Sequence, residues 1–512
     1  MKIRNIYISL LSIALCFTAT SCEDFLDVNA DPNNPSDIPV ENRIIGAITM
    51  SNGASMWRAS REITAVMQYA ASGLAASGAE TWNFSASNFF WQNAYTWAIP
   101  NCVDLVVQGQ EEGSPHFAGV GRTLEALNFG MLTDQYGRIP VSSAYDGESQ
   151  VNLTPAFDEQ EVVYQLIIEK LDEAIAFFNA SDNVKGLNLA GGDIMYQGDV
   201  DKWRRFAYSL KARYLNHLSK KSSYDAQAIL AAVQNGFNGD GMDAEFPYLE
   251  GGQATEANPW SEVGFGGFSN STNPRYFSFT QFFVDLLKTF PVTNNSYTDP
   301  RIGIIMNPAP ADGEFRGLIP GEGVPGGREG TGPFINGDMY GRMTGGFYSR
   351  PDSPFPFMTY SELKFIEAEA RLRSGDKGGA LNAYEEGIKA NMRKLGVAAE
   401  QIEAFWQAMV DDGVNNHFDD LTNGLSHIMR QKYITQVFNP ETWVDMRRMD
   451  FRQEIYGPSL RQPSNLNPLF GPGEWMRGMI YEGNEVVRNG DNVGDNSPEV
   501  RLKTPLWWDT TD

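Results

Sequence analysis

Between residues 162 and 178 the apolar side chains fall at Val162, Val163, Leu166, Ile167, Leu171, Ala174, Ile175 and Phe178, with Glu169, Lys170, Asp172 and Glu173 on the other side. Steps of three and four predict one amphipathic helix with a broad buried stripe. A second helix is predicted to start near Asp201, a plausible N-cap, and to bury Trp203, Phe206, Ala207, Leu210, Tyr214 and Leu218. Its basic residues, Lys202, Arg204, Lys211 and Arg213, are expected on the solvated side.

The clearest helix pair lies between Met358 and Met392, where Leu363, Ile366 and Ala370 repeat at helical spacing, Gly375-Asp376 turns the chain, and Ala380, Tyr384 and Ile388 form a facing stripe. Gly375, Ala380, Tyr384 and Gly387 match the spacing of small and aromatic positions in a tetratricopeptide unit. Such units need neighbours to cover their faces, and the segments around 124–132, 162–178 and 203–218 are candidates, although no strict 34-residue repeat is visible. From about 236 to 356 the pattern changes to glycine, proline and scattered aromatics (Phe315, Phe334, Tyr340, Phe347), predicting ordered loops over a helical scaffold. A second aromatic concentration runs from Glu80 to Trp97.

The first 21 residues read as an export signal, with Lys2 and Arg4 ahead of an apolar run from Ile6 to Phe17. Ala19-Thr20-Ser21-Cys22 resembles a lipobox, which marks Cys22 for lipidation; an ordinary secretory signal is the alternative. Residues 22–40 are acidic and proline-containing and read as a tether, which at about 3.3 Å per residue reaches roughly 60 Å. The pair Glu23-Asp24 resembles the surface-export signal of Bacteroidetes lipoproteins. No later segment has the run of apolar residues that a membrane-spanning helix needs. The remaining 41–512 are expected to form a single helical domain carrying the loop-rich insert.

Net charge is -24, and loss of Lys2 and Arg4 with the signal takes it to -26, which disfavours nucleic acid and other polyanions as partners. Of three cysteines only Cys102 remains in the body, so packing and not disulfides must hold an exported chain together.

Several segments together resemble the SusD-like (SusD/RagB) outer-membrane nutrient-binding lipoproteins: LTDQYGRIPVS at 132–142, GDVDKWRRFAYSLKARYLNHLS at 198–219, NPRYF at 273–277 and DPR at 299–301. MTYSELKFIEAEARLRSGD at 358–376, RQKYI with ETWVDMRR within 430–448, and TPLWWD at 504–509 complete the series. Arg138, where the family commonly has an acidic residue, and Gly-Asn-Glu at 483–485 depart from it. The resemblance implies a mainly α fold of tetratricopeptide-like helix pairs with a large irregular portion. It also implies attachment to the outer membrane through the lipid, and a SusC-like TonB-dependent transporter as partner.

Catalytic chemistry is poorly represented. His116, His217, His417 and His427 share no metal-ligand or triad-like spacing, and His217 is expected to be structural. Gly321, Gly323 and Gly326 spell a nucleotide-type glycine pattern, but Pro325 interrupts it and no flanking strand or helix is evident. Acids at Asp240, Asp243 and Glu245, and at Asp491 and Asp495, lack the spacing of a calcium loop and are expected to be solvated. No metal, cofactor or catalytic residue is expected. With 64 acidic residues, a carboxylate pair suited to glycoside hydrolysis stays open as a rival.

Sugar rings present apolar faces edged by hydroxyls, which flat aromatics beside amides or charged donors complement. The run from Glu80 to Asn88 places Trp82 and Phe84 beside Asn83 without a helical stripe, and Trp82 is the leading candidate to bind ligand. Trp260, Arg275, Tyr276, Phe334 and Tyr340 are candidates to converge with it from other loops, Arg275 equally well bonding loop carbonyls. Trp91, Tyr95, Ile99 and Cys102 follow helical spacing and are expected in the core, Trp57 fits either role, and Trp507 and Trp508 are expected to pack. The expected activity is capture of an oligo- or polysaccharide for uptake. A peptide cargo, a surface glycoside hydrolase and a scaffold without small ligand are the alternatives.

Overall fold

The computed structural model of the chain describes residues 38–512 except 73–77, 87–88, 146–151, 250–255, 262–276, 291–296, 310–311 and 324–345. The signal, Cys22, most of the tether, Arg275, Tyr276, Phe334, Tyr340 and Gly326 lie outside the described residues.

Helices of eight or more residues, numbered in chain order, are α1 (Val40–Met50), α2 (Ile99–Glu111), α3 (Pro115–Tyr136), α4 (Gln160–Phe178), α5 (Val200–His217), α6 (Ala226–Asn235) and α7 (Gln281–Thr289). They continue with α8 (Tyr360–Arg373), α9 (Lys377–Lys394), α10 (Ala399–Asp411), α11 (Leu421–Thr435), α12 (Glu441–Arg448) and α13 (Gly483–Val493). Consecutive helices α2 to α6 pack side by side, and α8 packs on α9, α11, α6 and α5, so the fold is mainly α, with helix pairs sharing one core. Sheet is confined among the described residues to two antiparallel ribbons, Ala70–Ser72 with Phe277–Phe279 and Ala244–Phe246 with Phe355–Met358.

Local chemistry sets the helix starts. Asp199, Asp225, Thr359, Asp376 and Asp420 each accept a hydrogen bond from a backbone N–H in the first turn of the helix that follows. The second predicted helix therefore begins two residues earlier than expected, capped by Asp199 and not Asp201. The predicted pair 358–392 is α8 and α9, joined through Gly375 at φ +86°. Gly387 lets them cross closely: a β-carbon there would stand 3.0 Å from the Phe365 ring, and the Ser361 hydroxyl donates to the Gly387 carbonyl at 2.6 Å.

Arg213 corrects the expectation that the basic residues of α5 are solvated. It is buried, and its guanidinium grips Glu362 of α8 through Nε at 2.7 Å and Nη2 at 2.8 Å. This is one link of a charged layer between helices. Arg448 of α12 binds both oxygens of Glu369 at 2.9 Å and reaches Asp445 at 2.6 Å, Lys432 of α11 meets Asp445 at 2.7 Å, and Asn216 of α5 donates to Glu369 at 2.8 Å. His217 lies against Glu441 at 2.5 Å and Asp134 at 3.5 Å, with the Tyr164 hydroxyl donating to Asp134. Around Asp299, Arg301 forms a second buried pair at 2.6 Å and also donates to Asn391 and Gln431.

Burial alone would lower the pKa of His217, but Glu441 and Asp134 outweigh it and lift the imidazole to about 9. A raised histidine pKa stabilises the fold fully below its unfolded value of about 6.5, and that stabilisation is lost as pH climbs through about 9. The Tm is expected to fall from pH 7 to 10, and His217→Gln to start lower with a flatter profile; identical profiles for the two proteins contradict the ion pair. Arg448→Met, which strands Glu369 and Asp445, is expected to cost about 3–5 kcal/mol in denaturant unfolding.

Candidate functional site

The short helix Trp57–Ile63 has two unlike faces. Trp57 points inward, edge-on to Trp260 at 5.1 Å between ring centroids, and Trp260 stacks on Phe438 at 4.1 Å. Arg58, Arg61 and Glu62, neighbours at the three- and four-residue spacing of a helix surface, turn outward. They line an open cavity of about 260 Å³ with Ala79, Phe84, Ser85, Phe89 and Met479. Phe89 is 54 % exposed, with the Arg58 guanidinium 5.6 Å from its ring centroid, and Phe84 is half-buried on the rim.

Hydrogen bonds and packing hold the loop that carries Phe84. The Asn83 N–H donates to the Gly78 carbonyl at 2.7 Å, and the buried Glu80 carboxylate accepts from the N–H of Ser72 at 2.9 Å and of Gly321 at 2.5 Å. Trp82 is fully buried, at φ +61°, against Phe470 at 5.0 Å and Trp475 at 5.5 Å. Asn83 is exposed and donates to the Thr81 hydroxyl at 2.8 Å.

Two of the expected ligand residues are thereby corrected. Trp82 and Trp260 have 0 % and 1 % of their surface exposed, so neither indole offers a face to a sugar; one anchors the loop and the other fills the core. The polar sequence around Trp82 suggested exposure, but distant Phe470 and Trp475 cover it. Phe84 does reach the cavity, with exposed Asn83 next to it in the chain. Trp91, Tyr95, Ile99, Cys102 and Trp508 are buried as expected.

Sequence reasoning missed Arg58, Arg61, Glu62 and Phe89. Phe89 stands outside the stripe of Trp91 and Tyr95, and Arg58 and Arg61 lie one helical turn apart, signals too short to stand out. Glu62 accepts from the Phe90 N–H at 3.0 Å; its other oxygen is buried without a hydrogen-bond partner among the described residues. Burial pushes this carboxyl up to about 8, against the opposing pull of the Phe90 N–H, Arg58 and Arg61, so it is protonated at neutral pH.

The remaining polar clusters satisfy themselves. Asp134, His217 and Glu441 offer atoms within 4.8 Å of one another, yet all are buried and bonded together as an ion-paired set. Asp240, Asp243 and Glu245 are not simply solvated acids. Arg393 binds Asp240 at 2.6 Å, and Lys394 binds Asp243 at 2.6 Å and also Glu245. Asp491 and Asp495 are exposed, as expected. Gly321, first of the glycine pattern, donates its N–H to Glu80 and opens no helix.

Helix pairs around a charged core, with an aromatic-edged open cavity at the surface, define a mainly helical scaffold of tetratricopeptide-like pairs. The chain belongs to the SusD-like family described as starch-binding and associating with the outer membrane, whose model matches residues 32–465. The fold is shared with a SusD/RagB family protein of Bacteroides thetaiotaomicron VPI-5482, at 22 % identity and TM-score 0.69 over 93 % of this chain and all of that one. It is shared too with a SusD homologue of Bacteroides fragilis NCTC 9343, at 19 % identity and TM-score 0.68 over 93 % and 100 % of the two chains. A chitin-binding protein superposes at TM-score 0.71 and 20 % identity, over 92 % of this chain and 99 % of that one. Comparison with curated protein sequences gives no match.

Because Trp82 is packing and not platform, Trp82→Ala is expected to destabilise the protein by about 3–5 kcal/mol. Ligand affinity measured well below the lowered Tm is expected to change much less than stability; a large affinity loss with unchanged stability contradicts the assignment.

Proposed function

We propose that this chain is an outer-membrane lipoprotein, anchored through Cys22 at the cell surface, that binds an oligo- or polysaccharide and passes it unchanged to a SusC-like TonB-dependent transporter. Membership of the SusD-like family supports this reading, and the lipobox-like sequence at Cys22 supports the anchor. The observation that carries the glycan assignment is the cavity where exposed Phe89 and half-buried Phe84 flank Arg58, Arg61 and Glu62. Flat rings take the apolar face of a pyranose, while guanidinium N–H groups and a carboxyl oxygen reach its hydroxyls.

Retention of cargo without chemistry suits such a site. Each stacked ring contributes about 1 kcal/mol, enough for reversible capture when repeated along a polymer. Handing over the cargo requires binding weak enough to release it.

Titration of the purified protein against a glycan panel tests this. Binding of at least one oligosaccharide is expected, weakened about 5- to 30-fold by Phe89→Ala, equivalent to about 1–2 kcal/mol. Peptide binding in place of any glycan, or release of new reducing ends from the glycan, contradicts it.

A further inference from the structure

The cavity between the Trp57–Ile63 helix and the 78–90 segment carries an uncompensated positive charge, in a chain whose net charge is -24. Arg58 and Arg61 sit one turn apart, and like charges at that spacing repel. Elsewhere on the surface arginines find carboxylates: Arg43 meets Asp104, Arg316 meets Asp312, and Arg371 meets both Glu367 and Asp376. Among the described residues neither Arg58 nor Arg61 has an ion-pair partner within 4 Å, and the Arg58 Nε is buried without a hydrogen-bond acceptor. Glu62, in the same cavity, accepts a hydrogen bond from the Phe90 N–H at 3.0 Å.

Resting on the reading of this cavity as the glycan site, we infer that it selects a glycan bearing an isolated acidic group, a uronate carboxylate or a sulfate. That group would sit between the Arg58 and Arg61 guanidiniums while the sugar ring lies on Phe89. Guanidinium forks match the paired oxygens of carboxylate and sulfate in geometry and charge, and such charge-assisted bonds are about twice as strong as neutral ones. The acidic surface does not oppose this. At physiological salt its field decays over about 8 Å, so a single acidic unit feels chiefly the guanidiniums beside it, whereas a dense polyanion meets the whole surface.

Glu62 sharpens the selection. The titratable groups lining the cavity are Arg58, Arg61 and Glu62; Ala79, Phe84, Ser85, Phe89 and Met479 contribute none, and Glu62 also meets the Phe90 N–H. With its carboxyl neutral below about pH 8, Glu62 adds no negative charge and the cavity keeps both positive charges for the anion. Above that pH the carboxylate competes for the same guanidiniums.

The test is an array of hexose, pentose and N-acetylhexosamine tetrasaccharides, each beside derivatives carrying one uronate or one sulfate, probed with the whole protein. At least one acidic member is expected to bind about tenfold more tightly than its neutral counterpart, and the uronate and sulfate arms identify which group is read. Arg58→Gln with Arg61→Gln is expected to bring that ratio to about one, with an unchanged Tm showing that the variant is folded. Affinity for the acidic member is expected to fall between pH 7 and 9, and Glu62→Gln to remove the fall. Neutral members bound as well as acidic ones, an acidic preference that survives in the double variant, or a flat pH profile overturns the inference while leaving glycan binding in place. If no member binds, the glycan reading fails together with it.

Discussion

Buried charge is the constraint around which this molecule is organised. A carboxylate taken out of water costs several kcal/mol unless a cation and hydrogen bonds meet it, and removing one partner of such a pair is far more damaging than replacing the pair. Glu362, Glu369, Asp445, Glu441 and Asp299 are each met by a cation from another position of the chain. Their partners come from α5, α11, α12 and the start of the 302–305 helix, where Arg301 also reaches Asn391 of α9 and Gln431 of α11, so these contacts tie the elements to one another. Arg447 extends the layer through carbonyls of Asp134 and Arg477, lying under Trp443 with 3.8 Å between guanidinium carbon and ring centroid.

The same layer explains which parts of the fold were readable beforehand. Segments that carried the family resemblance, DPR at 299–301, ETWVDMRR at 441–448, the Arg213 to His217 stretch and the helix after Thr359, supply these buried ions. They identify a scaffold and say little about cargo. Periodicity found α4, α5, α8 and α9 because a repeating apolar stripe is local information. It placed Arg213 on the wrong side of α5 because Glu362, 149 positions away, decides its burial.

The site was less legible for the same physical reason. Trp82 sits in a polar run with no helical stripe, which reads as exposure, yet Phe470 and Trp475 arrive from the far end of the chain to cover it. Phe84, two residues on, reaches the cavity because the loop is pinned by Trp82 and Glu80. Arg58 and Arg61, one helical turn apart, form no pattern in the sequence that sets them apart. Only the packed arrangement reveals that no carboxylate lies within 4 Å of them among the described residues and that Phe89 stands beside them. A core of matched ion pairs thus holds, on an acidic molecule, a small arginine-bearing and aromatic-edged cavity at the surface.

A crystal structure of the protein with a bound oligosaccharide would show most directly whether that cavity holds the cargo. Expected is a sugar ring lying on Phe89 and Phe84 with its polar groups in hydrogen-bond reach of Arg58 and Arg61, and Trp82 still buried beneath the loop. A sugar seated elsewhere with this cavity empty, or stacked on a Trp82 swung out into solvent, would contradict it.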